Sequence, residues 1–329
     1  MHDSTLVKSF RLLCFAGAAS LLSAPLWAAT EWAPTKPVRM IVGFPPGGPT
    51  DLVARLIGPQ LTETMGQQFV IDNRPGAGGT LGATILTKSV ADGYTLLTAA
   101  NGEIAIAPSL YPKLPYDPTR DLAPVSRIGS SPLLLAVHPG VAATSVKELI
   151  ALAKSRPGTI NFASGGVGST PHLASELLKV LAAIDIVHVP YKGGGPAISE
   201  AIGGQVQMLI SGVAAIMPHA KSGRLRALAT TGEQRLAVWR ELPTIGETVP
   251  GYQANSWYGV FAPKDTPKNI IARLHGAIAA AVRSAEVGER MTAMGIEAEG
   301  SDPARFAAQV REEIAKWAKV VKTAGVTLD

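Results

Sequence analysis

The sequence predicts an α/β protein of two lobes, each carrying a mostly parallel sheet covered by helices. Three observations carry that prediction. Short apolar runs, such as Val38–Val42 and residues 132–137, alternate with longer stretches whose apolar residues recur at three- and four-residue steps. Several junctions between them are glycine-rich loops that lead straight into a helical pattern, as in successive βα units. The pattern also restarts near residue 129 and turns back near 255. This places 129–255 as a second lobe inserted into a first lobe of 30–128 plus 256–329, with two crossing strands as the hinge. A length of about 300 residues after the N-terminal segment suits two domains.

At the N-terminus, Lys8 and Arg11 precede an apolar run over 12–26, and small residues follow at Ala28 and Ala29. Residues 1–29 therefore read as a secretory signal peptide, removed after Ala28 or Ala29. The run falls short of the roughly 20 apolar residues that a spanning helix needs, and no later stretch comes closer. The only cysteine, Cys14, lies inside this segment behind Leu13, where a lipoprotein signal needs a small residue. The exported chain then has no thiol, which excludes disulfides, thiolate metal sites and cysteine nucleophiles.

In the first lobe, Val38–Val42 is a strand and the loop Gly43, Phe44, Pro45, Pro46, Gly47, Gly48, Pro49 follows it. Leu52, Val53, Leu56, Ile57, Leu61 and Met65 mark the inner face of a helix over 50–65, capped by Thr50 or Asp51. Gly58–Pro59 should kink or break that helix. The loop lets backbone approach a ligand closely, and the unpaired N–H groups of the first helical turn favour an anion. Neither G-x-G-x-x-G nor G-x-x-x-x-G-K-[ST] can be written onto it, so it is not a nucleotide loop. Residues 69–72 form a second strand. Arg74 to Thr80 is another glycine-rich entry, into a helix ending near Ser89. Residues 94–98 form a third strand, followed by Asn101, Gly102 and a proline-rich loop holding Tyr111 and Tyr116.

The second lobe opens on the strand 132–137. Ser145 and Glu148 form a capping box for a helix over 146–154. A short strand over 160–163 feeds the loop Ser164, Gly165, Gly166, Val167, Gly168, Ser169, Thr170. Pro171 then sits at a favoured first helical position, with Leu173, Leu177, Val180 and Leu181 as the buried face. Residues 186–189 lead to a third such loop, Tyr191 to Pro196, and strands over 208–211 and 225–230 complete the sheet. The chain returns through 256–261. Thr266–Pro267 starts a long helix to about Ser284. Asp302–Pro303 starts the last, over 304–323, with Phe306, Val310, Ile314, Trp317 and Val321 inside.

Hydrophobic residues make up 47% of the chain, with 34 Gly and 25 Pro, which describes a well-cored protein rich in turns. The formal charge of +5 becomes about +4 once Lys8, Arg11 and Asp3 leave with the signal peptide, and no Lys/Arg cluster stands out. Nucleic acid is not an expected partner. A mildly basic protein attracts anionic ligands. Ser164, Ser169 and His172 invite comparison with a serine hydrolase, but Gly166 to Thr170 does not fit the G-x-S-x-G elbow. His172 reads as a first-turn helix residue. His138, His188, His219 and His275 are scattered without zinc spacing and read as surface or lobe-packing residues. Lys192 either attracts an anion or is solvated. No catalytic residue, metal or cofactor is expected.

These residues also carry a resemblance. Val42 to Asp51, Asn73 to Gly79, Asp92 to Leu97, Val189 to Gly193 and Ser256 to Pro263, in that order along nearly the whole exported chain, resemble the hallmarks of the Bug family. These are the TctC-like periplasmic receptors of tripartite tricarboxylate transporters. The resemblance implies a type II periplasmic-binding-protein (Venus flytrap) fold in the periplasm, a monomer that closes on a small carboxylate and hands it to integral membrane transporter subunits. A ligand sensor for a signalling domain is the alternative. It implies one jaw at 44–51, with Phe44, Gly47, Gly48, Thr50 and Asp51, often bridged to ligand by water. The other jaw, at 164–170, would grip the carboxylate with Ser164, Gly168, Ser169 and Thr170. Asn101, Tyr191 and Ser211 complete the candidate set. Many relatives place an acidic residue where this chain has Ser211, so an amino-acid ligand is less expected than a di- or tricarboxylate or an aromatic carboxylate.

Overall fold

The computed structural model describes residues 32–191 and 194–327; the expected signal peptide with Cys14, and Lys192, lie outside the described residues. β1 (Val38–Val42), β2 (Phe69–Asn73) and β3 (Thr95–Ala100) are connected by α1 (Pro49–Met65) and α2 (Thr80–Thr87), and β1 pairs in parallel with both neighbours. After β3 the chain forms a π-helical turn, Gly102–Ile106, continuing as α3 (Ala107–Leu110), where a proline-rich loop was expected. Ile104, Ala105, Ile106 and Leu110 are buried. Burying that run requires its backbone groups to be paired locally, which a helical turn does.

β4 (Leu122–Val137) links the two halves. Its first part pairs antiparallel with β9 (Asn255–Pro263), and its residues from Leu133 onward pair antiparallel with β7 (Met208–Gly212) and, from Leu134, with β8 (Arg226–Thr230). Beyond it, α4 (Val146–Ser155) leads to β5 (Asn161–Ser164). β5 pairs in parallel with β6 (Val187–Pro190) and β7, connected through α5 (Thr170–Ala182) and α6 (Gly194–Ile202). The strand order is β2-β1-β3-β9-β4-β7-β5-β6, with β8 and β10 (Glu297–Ser301) also on β4. The sheet is therefore mixed. Strands joined by βα units are parallel as expected, whereas the strands gathered on β4 and β9 are antiparallel.

Several local expectations are corrected. α1 runs unbroken through Gly58–Pro59. Pro59 lies on the exposed face, so its missing N–H leaves no buried carbonyl stranded. The N-cap of α1 is Gly48, neither Thr50 nor Asp51, and Leu52 is exposed. α5 begins at Thr170, one residue before the Pro171 start, and is capped by Ser169; of its expected buried face Leu173 and Leu177 are buried, Val180 is half-buried and Leu181 exposed, with Leu178 buried instead. In the Ser145 box the hydroxyl accepts the Glu148 N–H as expected, but the Glu148 carboxylate turns to Thr144. The helix expected to run to about Ser284 is α8 (Lys268–Arg283), as read; the extended Ser284 that ends it caps a further helix, α9 (Ala285–Ala293), which the sequence reading lacked. α7 (Val213–Lys221) and β10 had no counterpart in the sequence reading.

Helices cover both faces of the sheet. One apolar layer joins β1, α1, α8 and α9; another joins β7 to α6 and α7. The largest runs through both halves, and α10 (Pro303–Ala324), capped by Asp302, lies along it. Phe306, Val310, Trp317 and Val321 of α10 are buried, with Ile314 half-buried against the same layer. α10 packs on the π-helical turn of one half and on α5 of the other. No helix among the described residues is long and apolar enough to cross a membrane.

Candidate ligand-binding site

A cavity of about 650 Å³ lies beyond the carboxyl ends of β1, β3, β5 and β7. Open α/β sheets place ligands there, because βα loops from neighbouring strands diverge at that edge. Phe44, Pro45, Pro46, Gly48 and Thr50 line it from the first loop, and Asn101, Ile106, Leu110 and Tyr111 from the segment after β3. Ser164, Gly165, Val167, Gly168, Ser169, Thr170 and Pro171 line the opposite wall, and Ser211, Ser256 and Tyr258 also face it. No described lining residue carries a formal charge.

Of the expected set, Gly47, Asp51 and Tyr191 do not line the cavity. Asp51 is 1% exposed and serves the loop. Its carboxylate accepts the Gly47 N–H (2.8 Å), Asn73 Nδ2 (2.8 Å) and Arg55 Nε (2.9 Å). Burial alone pushes its pKa up, but the hydrogen bonds from Arg55, Gly47 and Asn73 outweigh that and hold it below the ordinary carboxylate value. Asn73 also donates to the Phe44 carbonyl (3.0 Å), so the carboxylate fixes the first wall through its neighbours. Tyr191 closes the back of the second loop, its N–H donating to the Ser164 carbonyl (3.0 Å).

The loop 164–170 is built differently from expectation. Ser164 is 1% exposed; its Oγ lies 2.6 Å from His188 Nε2 and accepts the Gly166 N–H (3.2 Å). Ser169 Oγ donates to the Gly166 carbonyl (2.8 Å) and caps α5 through the His172 N–H. Thr170 Oγ1 donates to Asn101 Oδ1 (3.2 Å), and Asn101 Nδ2 donates to the Asn255 carbonyl (3.2 Å). The hydroxyls expected to meet a ligand are thus occupied by the loop itself and by the facing wall. Among the described residues, the backbone N–H groups of Gly165, Val167 and Thr170 have no hydrogen-bond partner.

Beneath this loop, Phe162, His188 and His172 stack in sequence, with ring centroids 4.9 and 3.8 Å apart. Burial pushes the His188 pKa down to about 4. Burial, helped by the charge His188 would carry, pushes His172 down to about 3. His188, read as a surface or lobe-packing residue, packs inside, and His172 stands in the first turn of α5 as read. The Ser164–His188 distance is that of a nucleophile and its base. Ser164 Oγ is enclosed, however, and among the described residues no carboxylate bonds the other ring nitrogen of His188.

Sequence reasoning also missed Glu103, which is fully buried behind the first wall. Its Oε1 accepts the Ala100 N–H (2.9 Å), while Oε2 has no partner among the described residues, and burial pushes its pKa up to about 8. The lining residues Ile106, Leu110 and Tyr111 were hidden by the loop reading of 101–116. Ser256 and Tyr258 stood in a motif already singled out and needed only the β9 pairing to bring them to the cavity.

The family model for the tripartite tricarboxylate transporter family receptor, TctC, matches residues 53–326. Protein BugT of Bordetella pertussis is 39% identical over 323 residues, covering 97% of this chain and 98% of its own. The chain belongs to the TctC receptor family. Solved structures similar to this TctC-family receptor include an R. palustris protein with adipate, at 39% identity and TM-score 0.80, covering 90% of this chain and 99% of that one. MatC from Rhodopseudomonas palustris with bound malate is 35% identical at TM-score 0.76, covering 88% and 99%. The periplasmic binding protein BugD is 31% identical at TM-score 0.77, covering 90% and 100%. The TctC-family receptor has the two-lobed periplasmic-binding-protein fold, and it is a solute-binding protein whose relatives are receptors and not enzymes.

Proposed function

We propose that this receptor captures a small carboxylate, either a di- or tricarboxylate or an aromatic carboxylate, in the periplasm and delivers it to integral membrane transporter subunits. The observation that carries the reading is the loop 164–170, where Gly165, Val167 and Thr170 line a cavity with no charged lining residue among those described and keep N–H groups without a partner among the described residues. Charge-assisted hydrogen bonds contribute roughly 1.5–3 kcal/mol each, and the start of α5 adds about 0.3–1 kcal/mol. Two or three such bonds offset the desolvation of one carboxylate without a lysine or arginine. The ligands named for the adipate- and malate-bound relatives support the same class.

The signal peptide over 1–29 and the division into 30–128 plus 256–329 and an inserted 129–255 belong to this reading. β4 and the return into β9 would be the hinge. A thermal-shift panel of adipate, malate, citrate and benzoate against the matching amides tests it. Carboxylates are expected to raise the melting temperature, and amides are expected to leave it unchanged; equal stabilisation by amides overturns the reading. Native mass spectrometry of the protein as isolated from its host names the ligand itself.

A further inference from the structure

We propose that His172 and His188 are positioning residues, a neutral imidazole pair that holds the loop 164–170 in its ligand-ready shape. This rests on the assignment of that loop to the binding site. Each ring holds a different point of the loop. The Gly168 N–H donates to His172 Nδ1 (3.1 Å), so that nitrogen is an acceptor and the proton sits on Nε2, which faces the Glu176 carboxyl at 3.7 Å. His188 Nε2 meets Ser164 Oγ at 2.6 Å, and the same oxygen accepts the Gly166 N–H, so His188 reaches the loop through Ser164.

The two rings lie nearly parallel, 3.8 Å apart and 16° from coplanar, and His188 rests in turn on Phe162 of β5. β5, β6 and α5 each contribute one ring, so the stack ties the loop to three elements of the second lobe. With Gly166 and Gly168 N–H committed inward, the N–H groups left for a ligand are those of Gly165, Val167 and Thr170. Gly166 and Gly168 both have positive φ (126° and 76°), so the loop's path depends on hydrogen bonds at residues that have few steric constraints of their own. A proton on His172 Nδ1 would set a donor against the Gly168 N–H, so the pair works only when neutral.

Amide hydrogen exchange measured by NMR on the ligand-free protein tests this without knowledge of the ligand. His172→Phe and His188→Phe keep an aromatic ring in the stack and remove the ring nitrogen that meets the loop, the acceptor Nδ1 of His172 and the Nε2 of His188; His172→Asn places an amide oxygen near Nδ1, and His188→Gln places a polar group near Nε2. Expected is a fall in protection of about tenfold or more at Gly168 in His172→Phe and at Gly166 in His188→Phe, with protection of the β5 and β7 amides unchanged. His172→Asn and His188→Gln are expected to stay within about threefold of wild type. Unchanged loop protection in both phenylalanine variants overturns the proposal. So does an equal loss in the Asn and Gln variants, which would reduce the rings to packing. Where adipate stabilises the wild type, its affinity is expected to follow the same order. Where it does not, the choice of adipate fails and the exchange result still decides the role of the pair.

Discussion

Glu103 and the histidine pair place opposite pH dependences within one site. The folded pKa of Glu103 is raised to about 8 from an ordinary 4.5, so its contribution to stability is complete below 4.5 and is lost as pH rises through 8. Glu103→Gln is therefore expected to match wild type in urea denaturation at pH 5 and to exceed it at pH 8. The limiting slope is about 1.4 kcal/mol per pH unit. His172 and His188 are depressed below 6.5, so the unfolded chain binds more protons below that pH. Stability that depends on their neutral state is complete above 6.5 and is lost as pH falls toward about 4 and about 3. Their ring proton shifts are expected to stay flat from pH 8 to 5; a titration near 6.5 in either ring would contradict the buried stack.

At the level of elements, the first wall depends on the close approach of β1 to the start of α2. A Cβ on Gly43 would sit 2.6 Å from the Gly79 carbonyl oxygen, a backbone atom that cannot turn aside. Gly43→Ala is expected to cost about 1–3 kcal/mol in chemical denaturation and to displace the Phe44 loop, lowering ligand affinity as well. The second wall depends on the start of α5. Ser169→Ala removes both the helix cap and the bond to the Gly166 carbonyl, so a loss of about 1 kcal/mol in stability is expected, with weaker carboxylate binding. If Ser169→Ala matches wild type in both measurements, the hydroxyl has no role in the loop. Both elements were legible in sequence as strand, glycine loop and helix. Of the kink or break expected at Gly58–Pro59, the break does not occur, because periodicity shows which face a residue occupies but not whether its missing N–H falls toward solvent.

Across the whole molecule, the walls of the cavity come from two halves of one mixed sheet joined by β4 and overlaid by α10. Thr170 Oγ1 to Asn101 Oδ1 is a direct hydrogen bond between those walls. Thr170→Val keeps the shape and removes the donor. It is expected to weaken carboxylate affinity about fivefold, on the order of 1 kcal/mol, and to lower the melting temperature of the ligand-free protein as well, because the buried Asn101 Oδ1 loses its donor. Small-angle scattering is expected to show a smaller radius of gyration at ligand saturation, through a shift between open and closed populations. An unchanged distance distribution would mean that ligand enters without hinge motion.

The sequence by itself determined the βα units, the glycine loops at strand ends, the absence of a thiol after the N-terminal segment and the family, because each of these is written in local spacing and residue type. Tertiary structure alone decided which groups those loops have left to offer. Ser164 and Ser169 look like ligand hydroxyls in sequence, yet their hydrogen bonds are taken up by His188, Gly166 and the cap of α5. Asp51 looks like a contact and is a strut. His172 and His188, sixteen positions apart in sequence, become one stacked unit because β5 pairs with β6 and α5 begins beside them. A hydrogen bond is made once, and only the folded arrangement fixes which neighbour receives it.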